Sequence, residues 1–157
     1  MALSADVPVV RFGVPGNSTQ QISKPVAASV TIYGGSVATT RAGYLTPASS
    51  PASTDIVWGM IYRQVPLIPP QAASSVAGTY NAVIDTGSFF LNAGTGSDAL
   101  STADCGASVY LINETTVGKT SGGASRPVAG VLLNIDTNVT PSYAVALGSN
   151  RGTGAPS

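Results

Sequence analysis

From residue 28 onward the apolar positions come in short runs bounded by Gly, Pro, Ser and Asn, and no stretch of about eleven residues carries a clean helical period. The densest patterning lies between Phe89 and Asp136, above all in three runs: Ser108-Val109-Tyr110-Leu111, Thr115-Thr116-Val117, and Val128-Ala129-Gly130-Val131-Leu132-Leu133. The third follows Gly122-Gly123-Ala124-Ser125-Arg126-Pro127 and stops at Asn134 and Asp136, so it reads as a largely buried strand with the other runs as its pairing partners. Upstream, Val30, Ile32 and Tyr33, the Gly34-Gly35 turn and Ser36 to Thr40 read as a hairpin. Ile56 to Tyr62, Tyr80 to Asp85, Ser88 to Asn92 and Tyr143 to Leu147 add further strands. Trp58 reads as a core aromatic. Asp98 to Cys105 has room for one helical turn, capped by Ser101 or Thr102. About eight short strands separated by Gly or Pro predict an all-β fold, a small β-barrel or β-sandwich.

The first 25 residues differ. Pro8, Gly13, Pro15, Gly16 and Pro25 break any helix, and Asp6-Val7-Pro8-Val9-Val10-Arg11-Phe12 reads either as a first strand or as an extended arm able to pair with a neighbour's sheet edge. The expected organisation is an extended N-terminal arm over 1–25, a β-rich domain over 26–148 and a flexible tail over 149–157. Gly118 to Ser125 is expected to be the most flexible loop of the domain.

Composition narrows the function. Of 157 residues only 9% are charged, against roughly 25% in an ordinary domain, and acids and bases balance at seven each. That balance gives no reason to expect nucleic acid or an anionic membrane as partner. Gly, Ala, Ser and Thr supply nearly half the chain, a surface suited to packing in many copies against a partner. Without histidine, Ser-His-Asp and Cys-His catalysis are closed to a single chain. A single cysteine, Cys105, allows neither an intrachain disulfide nor a thiolate metal cage, and is expected to be a buried or half-buried thiol. The longest apolar stretch, Val128 to Leu133, falls far short of the roughly 18 residues of a membrane span. The start of the chain lacks the pattern of a secretory signal, so synthesis in a cytoplasm is expected.

One motif points to chemistry. Val83-Ile84-Asp85-Thr86-Gly87-Ser88 resembles the apolar-apolar-Asp-Thr-Gly signature of aspartic proteases, and a single copy per chain would require a homodimer whose two carboxylates share a proton. Only Ser149 to Ser157 follow the last strand, where that family places a helix and a dimerising strand, so a plain turn between two strands is the competing reading. Gly34-Gly35 and Gly122-Gly123 lack the context of a phosphate-binding loop, and the acids Asp85, Asp98, Asp104, Glu114 and Asp136 lack calcium-loop spacing. No cofactor or metal is expected.

Two sets of segments, taken in order, resemble the small head-decoration, or capsid-cement, proteins of tailed bacteriophages. The first comprises Ile32 to Ala38, Gly43-Tyr44-Leu45-Thr46-Pro47-Ala48 and Val57-Trp58-Gly59-Met60. The second comprises Gly87 to Asn92, Thr102-Ala103-Asp104-Cys105-Gly106, Val109-Tyr110, Thr116-Val117 and Arg126-Pro127-Val128-Ala129-Gly130-Val131. The resemblance covers residues 28–136, while Cys105 and the connector from Pro66 to Thr79 depart from it. It implies a β-tulip-like structural protein without enzymatic activity, placed on the outer surface of the virion capsid. There it would bind the major capsid protein as a homo-oligomer, dimer or trimer, and cement neighbouring capsomers of the expanded head. The arm residues Val7, Val9, Val10, Arg11 and Phe12 would be the capsid contacts. The alternatives are a homodimeric aspartic protease using Asp85, or a tail or fibre structural module.

Overall fold

Short β-runs punctuated by Gly and Pro close on themselves instead of stacking as long sheets, and the computed structural model shows how. It describes Leu3, Ala5, Asp6 and residues 20–67 and 72–148. The arm residues Val7, Val9, Val10, Arg11 and Phe12 and the tail over 149–157 lie outside the described residues. The protein is all-β. Strands β1 (Gln21–Pro25), β2 (Val37–Arg41), β3 (Tyr44–Thr46), β4 (Ile56–Ile61) and β5 (Asn81–Asp85) form one antiparallel sheet in the order β1-β5-β4-β2-β3. Strands β6 (Ser88–Ala93), β7 (Ser108–Asn113), β8 (Thr116–Gly118), β9 (Val128–Ile135) and β10 (Tyr143–Leu147) form a closed barrel in the order β10-β6-β8-β7-β9. Every barrel pairing is antiparallel except β6 with β8.

Each unit encloses apolar side chains. Phe89, Leu91, Val109, Leu111, Val117, Leu132 and Val145 fill the barrel, each at 1% exposure or less. Burial of side chains of this size contributes about 1.5–3 kcal/mol apiece. Val26, Ile32, Ala38, Leu45, Ile61, Ala82 and Ile84 make a second core on one face of the sheet. Ala27 N–H donates to the Leu45 carbonyl at 2.9 Å, and Val26 bridges Leu45 in parallel, so the chain leaving β1 meets β3 and curls the sheet around that core. Both ends of the sheet are thereby partly covered, which reduces open strand edge.

The two cores are joined through β2 and β4. In β4, Val57 and Met60 pack into the barrel core while Trp58 and Ile61 pack against the second. Strict alternation would not allow that, since positions three apart fall on opposite faces. The register provides it: Ala38 faces Gly59 but Thr39 faces Val57, leaving Trp58 as an extra residue that resets the parity. Strand β9 uses the same device twice. Ala129 is extra opposite β7 and Leu133 is extra opposite β10, so Ala129 and Leu132 both enter the barrel while Leu133 is 40% exposed.

Several expectations need correction. Residues 21–25 are not arm but strand β1, fully registered against β5 from Gln21↔Asp85 to Pro25↔Asn81. The hairpin expected around Gly34-Gly35 does not form. Ile32 instead bridges Val65, and β2 turns back through Ala42-Gly43 into β3. Strand β8 pairs with β7 and β6 and not with β9. Trp58 does pack against the second core, as expected of a core aromatic, but only half-buried, its indole N–H donating to Thr40 Oγ1 at 2.8 Å and its ring carrying Lys24 Nζ at 3.9 Å. Cys105 is exposed because the turn that carries it stands on the barrel surface. The single helical turn expected at Asp98 to Cys105 is two 3-10 turns, Gly96–Asp98 and Thr102–Asp104.

The loop after β8, expected to be flexible, is pinned. Asp98 Oδ1 accepts from Thr120 Oγ1 at 2.5 Å and from Arg126 Nη1 at 2.8 Å, and Lys119 Nζ lies 2.7 Å from Asp104 Oδ1.

Tight approach between β9 and β10 generates a stability prediction. A Cβ built on Gly130 would lie 1.9 Å from the Ala146 carbonyl oxygen, a backbone atom that cannot swing away. Gly130→Ala should therefore destabilise the fold by about 2–4 kcal/mol and lower the melting temperature by roughly 5–15 °C. A calorimetric scan with an unchanged midpoint would contradict this closeness of the two strands.

Candidate functional site

The Asn113-Glu114-Thr115 sequence turns β7 into β8, with Asn113 Oδ1 accepting the Thr115 N–H at 3.0 Å. That side-chain turn is a common use of asparagine. It swings Glu114 inward, where the residue is only 3% exposed. Its main-chain carbonyl accepts the Val37 N–H at 2.7 Å, tying the barrel turn to β2 of the sheet. Its carboxylate, through Oε2, accepts the Leu3 N–H at 2.6 Å.

Three residues further along, Asp6 is held by the sheet. Its Oδ1 accepts the Gly34 N–H at 2.6 Å, and its Oδ2 accepts the Gln64 N–H at 3.2 Å. Gly34 makes room for this: a Cβ there would lie 2.8 Å from the Arg63 Cα and 3.1 Å from Asp6 Cγ. Leu3 and Asp6 thus lie on either side of the junction of the two units, Leu3 on the barrel and Asp6 on the loops that flank β2 and β4.

The Asp-Thr-Gly motif occupies a crossing. Asp85 ends β5 in the sheet, Ser88 opens β6 in the barrel, and Thr86-Gly87 carries the chain between them. The Asp85 carboxylate is 1% exposed and its Oδ1 accepts from Gln21 Nε2 at 2.9 Å. Thr86 donates both its N–H (2.9 Å) and its hydroxyl (2.8 Å) to the Gln20 carbonyl, while Gly87, at φ +130, gives its carbonyl to Leu147 N–H at 3.1 Å. These contacts secure the passage between two cores. An aspartic dyad instead needs its carboxylate open to a second carboxylate and a water.

The remaining acids hold loops. Asp55, 6% exposed, takes a two-pronged contact from Arg41 Nε and Nη2 (2.7 and 2.8 Å) and the Ala52 N–H at 2.8 Å, fixing the Ser/Pro-rich loop before β4. Asp104 accepts from Lys119, and from both the N–H and the hydroxyl of Ser101 at 2.8 Å. Among the described residues no group of three or more His, Cys, Asp or Glu is placed to hold a metal ion. A groove of about 140 Å³ is lined by Arg63, Val65, Pro66, Leu67, Tyr80, Asn81 and Val83. Tyr62 beside it is 55% exposed and Leu67 in its wall is 44% exposed. Comparison with protein-family models, curated proteins and solved structures gave no match for the chain.

Glu114 and the cradle at Gly34 were not visible in the sequence as a site. The arm residues proposed as contacts begin one position beyond Asp6, so the described anchor marks the root of that segment.

Charge states follow from these surroundings. Burial raises the Glu114 carboxyl above its ordinary value of 4.5, with the Leu3 N–H opposing. Asp98 is lowered, chiefly by the Thr120 hydroxyl, and Asp104 is lowered to about 2, chiefly by Lys119 and then by Ser101. A raised folded-state value means that the stability from Glu114 is fully present below 4.5 and is lost as pH rises through the raised value. For Asp98 and Asp104 the sign reverses: their contribution is present above 3.8 and lost as pH falls, for Asp104 toward about 2. Glu114→Gln removes the first effect alone. Its melting temperature relative to the parent protein should therefore be higher at about pH 8 than at about pH 4; parallel curves across that range would contradict the buried-acid account.

Proposed function

We propose that the protein is a structural virion protein of the head-decoration type, without catalytic activity, that binds the outer surface of a tailed-phage head and cements neighbouring major capsid proteins. The observation that carries this reading is the kind of surface the fold presents. In a chain with 9% charged residues, Tyr44, Ile56, Tyr62, Leu67, Val76 and Leu133 stand 38–65% exposed, and a groove with Leu67 in its wall is also lined by Val65, Pro66, Tyr80 and Val83. Apolar side chains left outside a folded domain favour a protein partner over a small polar substrate.

The segments that resemble the decoration family support the reading through the positions they take. Gly43 to Ala48 supplies β3 and the fully buried Ala48; Thr102 to Gly106 carries the 3-10 turn held by Ser101, Asp104 and Lys119; Val128 to Val131 opens the barrel strand β9. Each is a determinant of shape, as a rigid cement would require. On the head, many copies arranged as dimers or trimers would add weak identical contacts into high avidity. The root of the segment bearing Val7, Val9, Val10, Arg11 and Phe12 is Asp6, hydrogen-bonded to the domain, so that segment would leave from a fixed point at the junction of the two units.

The test is to mix purified protein with undecorated expanded heads and image them by cryo-electron microscopy. Saturable density on the lattice, with the dissociation constant raised roughly tenfold by Val9→Pro or Val10→Pro, is the expected result, equivalent to about 1.4 kcal/mol per site. Bare heads in the presence of folded protein would overturn the reading in favour of a tail or fibre module.

A further inference from the structure

A carboxylate as enclosed as Glu114 requires a donor, because an ionised acid removed from water without one is strongly disfavoured. Among the described residues, the hydrogen-bond donor to its carboxylate is the N–H of Leu3. On the other side of the junction two main-chain donors, Gly34 N–H and Gln64 N–H, converge on one carboxylate, that of Asp6. These two half-sites come from different units: the turn between β7 and β8 in the barrel, and the loops before β2 and after β4 in the sheet. The Val37 N–H bond to the Glu114 carbonyl sets their separation. The diglycine that failed as a phosphate loop thus has a use, since Gly34 is bare where a Cβ would meet Arg63 and the Asp6 carboxylate.

We propose that Glu114, Gly34 and Gln64 form a recognition site for a peptide that offers a main-chain N–H at one position and an aspartate three residues later, the groups that the chain's own Leu3 and Asp6 supply. An acceptor at one end and a two-N–H carboxylate cradle at the other give the site polarity: a segment running backward would present neither group correctly. Asparagine in place of aspartate loses the charge-assisted part of the contact and turns an N–H₂ toward one of the two donors. The site holds irrespective of what the domain binds on its outer surface, so it stands or falls apart from the head-decoration reading.

The full-length Asp6→Ala and Asp6→Asn variants test it, read residue by residue by amide hydrogen exchange in solution NMR. Both should accelerate exchange of the Gly34 and Gln64 amides at least about tenfold while the barrel amides of Leu132 and Val145 keep their protection. A synthetic, C-terminally amidated hexapeptide, Met-Ala-Leu-Ser-Ala-Asp, added to the Asp6→Ala chain should then shift the Gly34 and Gln64 signals with a dissociation constant on the order of 1 mM. The same peptide ending in Asn should shift them at least tenfold more weakly. Unchanged exchange at Gly34 and Gln64 in both variants would overturn the proposal, and so would equal responses to the Asp and Asn peptides.

Discussion

One extra residue in strand β4 holds the architecture together. Trp58 sits where the β2–β4 register slips by one, and because of that slip the same strand sends Val57 and Met60 into the barrel core and Ile61 into the second core. A regular strand buries one face per core and would have to choose. The slip also puts Gly59 where β4 meets β5 most closely: a Cβ there would lie 2.2 Å from the Asp85 carbonyl. Asp85, Gly59 and Trp58 therefore belong to one local arrangement, in which the sheet is drawn tight and the chain then crosses into the barrel through Thr86-Gly87. The buried acid of the Asp-Thr-Gly motif finds its place in that crossing through Gln21 of β1.

The start of the chain repeats the logic at the opposite seam. Glu114 gives its carbonyl to β2 and its carboxylate to Leu3, and Asp6 is taken up by Gly34 and Gln64. Two units whose cores are joined through side chains of β2 and β4 are thus also bridged by polar contacts from the turn at Glu114 and from the loops at Gly34 and Gln64. Such an arrangement fits a protein whose task is to keep a fixed shape while its apolar exterior meets a partner. That is the sense in which the capsid-cement proposal and the fold support each other.

Much of this was legible in the sequence, and the rest had physical reasons to stay hidden. Strands at Ile56 to Ile61, Asn81 to Asp85, Ser88 to Ala93, Val128 to Ile135 and Tyr143 to Leu147 announce themselves by β-branched and aliphatic residues between Gly and Asx breaks. What periodicity cannot show is which strands pair over long sequence distances. Gly34-Gly35 looks like a hairpin turn locally, yet Ile32 finds Val65 and β2 finds β4, because both pairings bury the second core. Parity resets at Trp58, Ala129 and Leu133 blur the alternation on which strand faces are read, and so Leu133 looks buried from the sequence while standing exposed. The loop after β8 has the composition of a mobile segment, but Asp98, twenty-two residues away from Thr120 in the chain, fastens it. Glu114 carried no signal at all, for its role depends on a donor from the far end of the chain.

If β4 couples the two cores as described, they unfold as one. Equilibrium urea unfolding can be followed at both: by the fluorescence of Trp58, which reports the second core, and by a fluorine label on Phe89, which reports the barrel. Coincident midpoints and slopes are the expected result. Two separated transitions, with the barrel persisting after the Trp58 signal is lost, would contradict the shared-strand account.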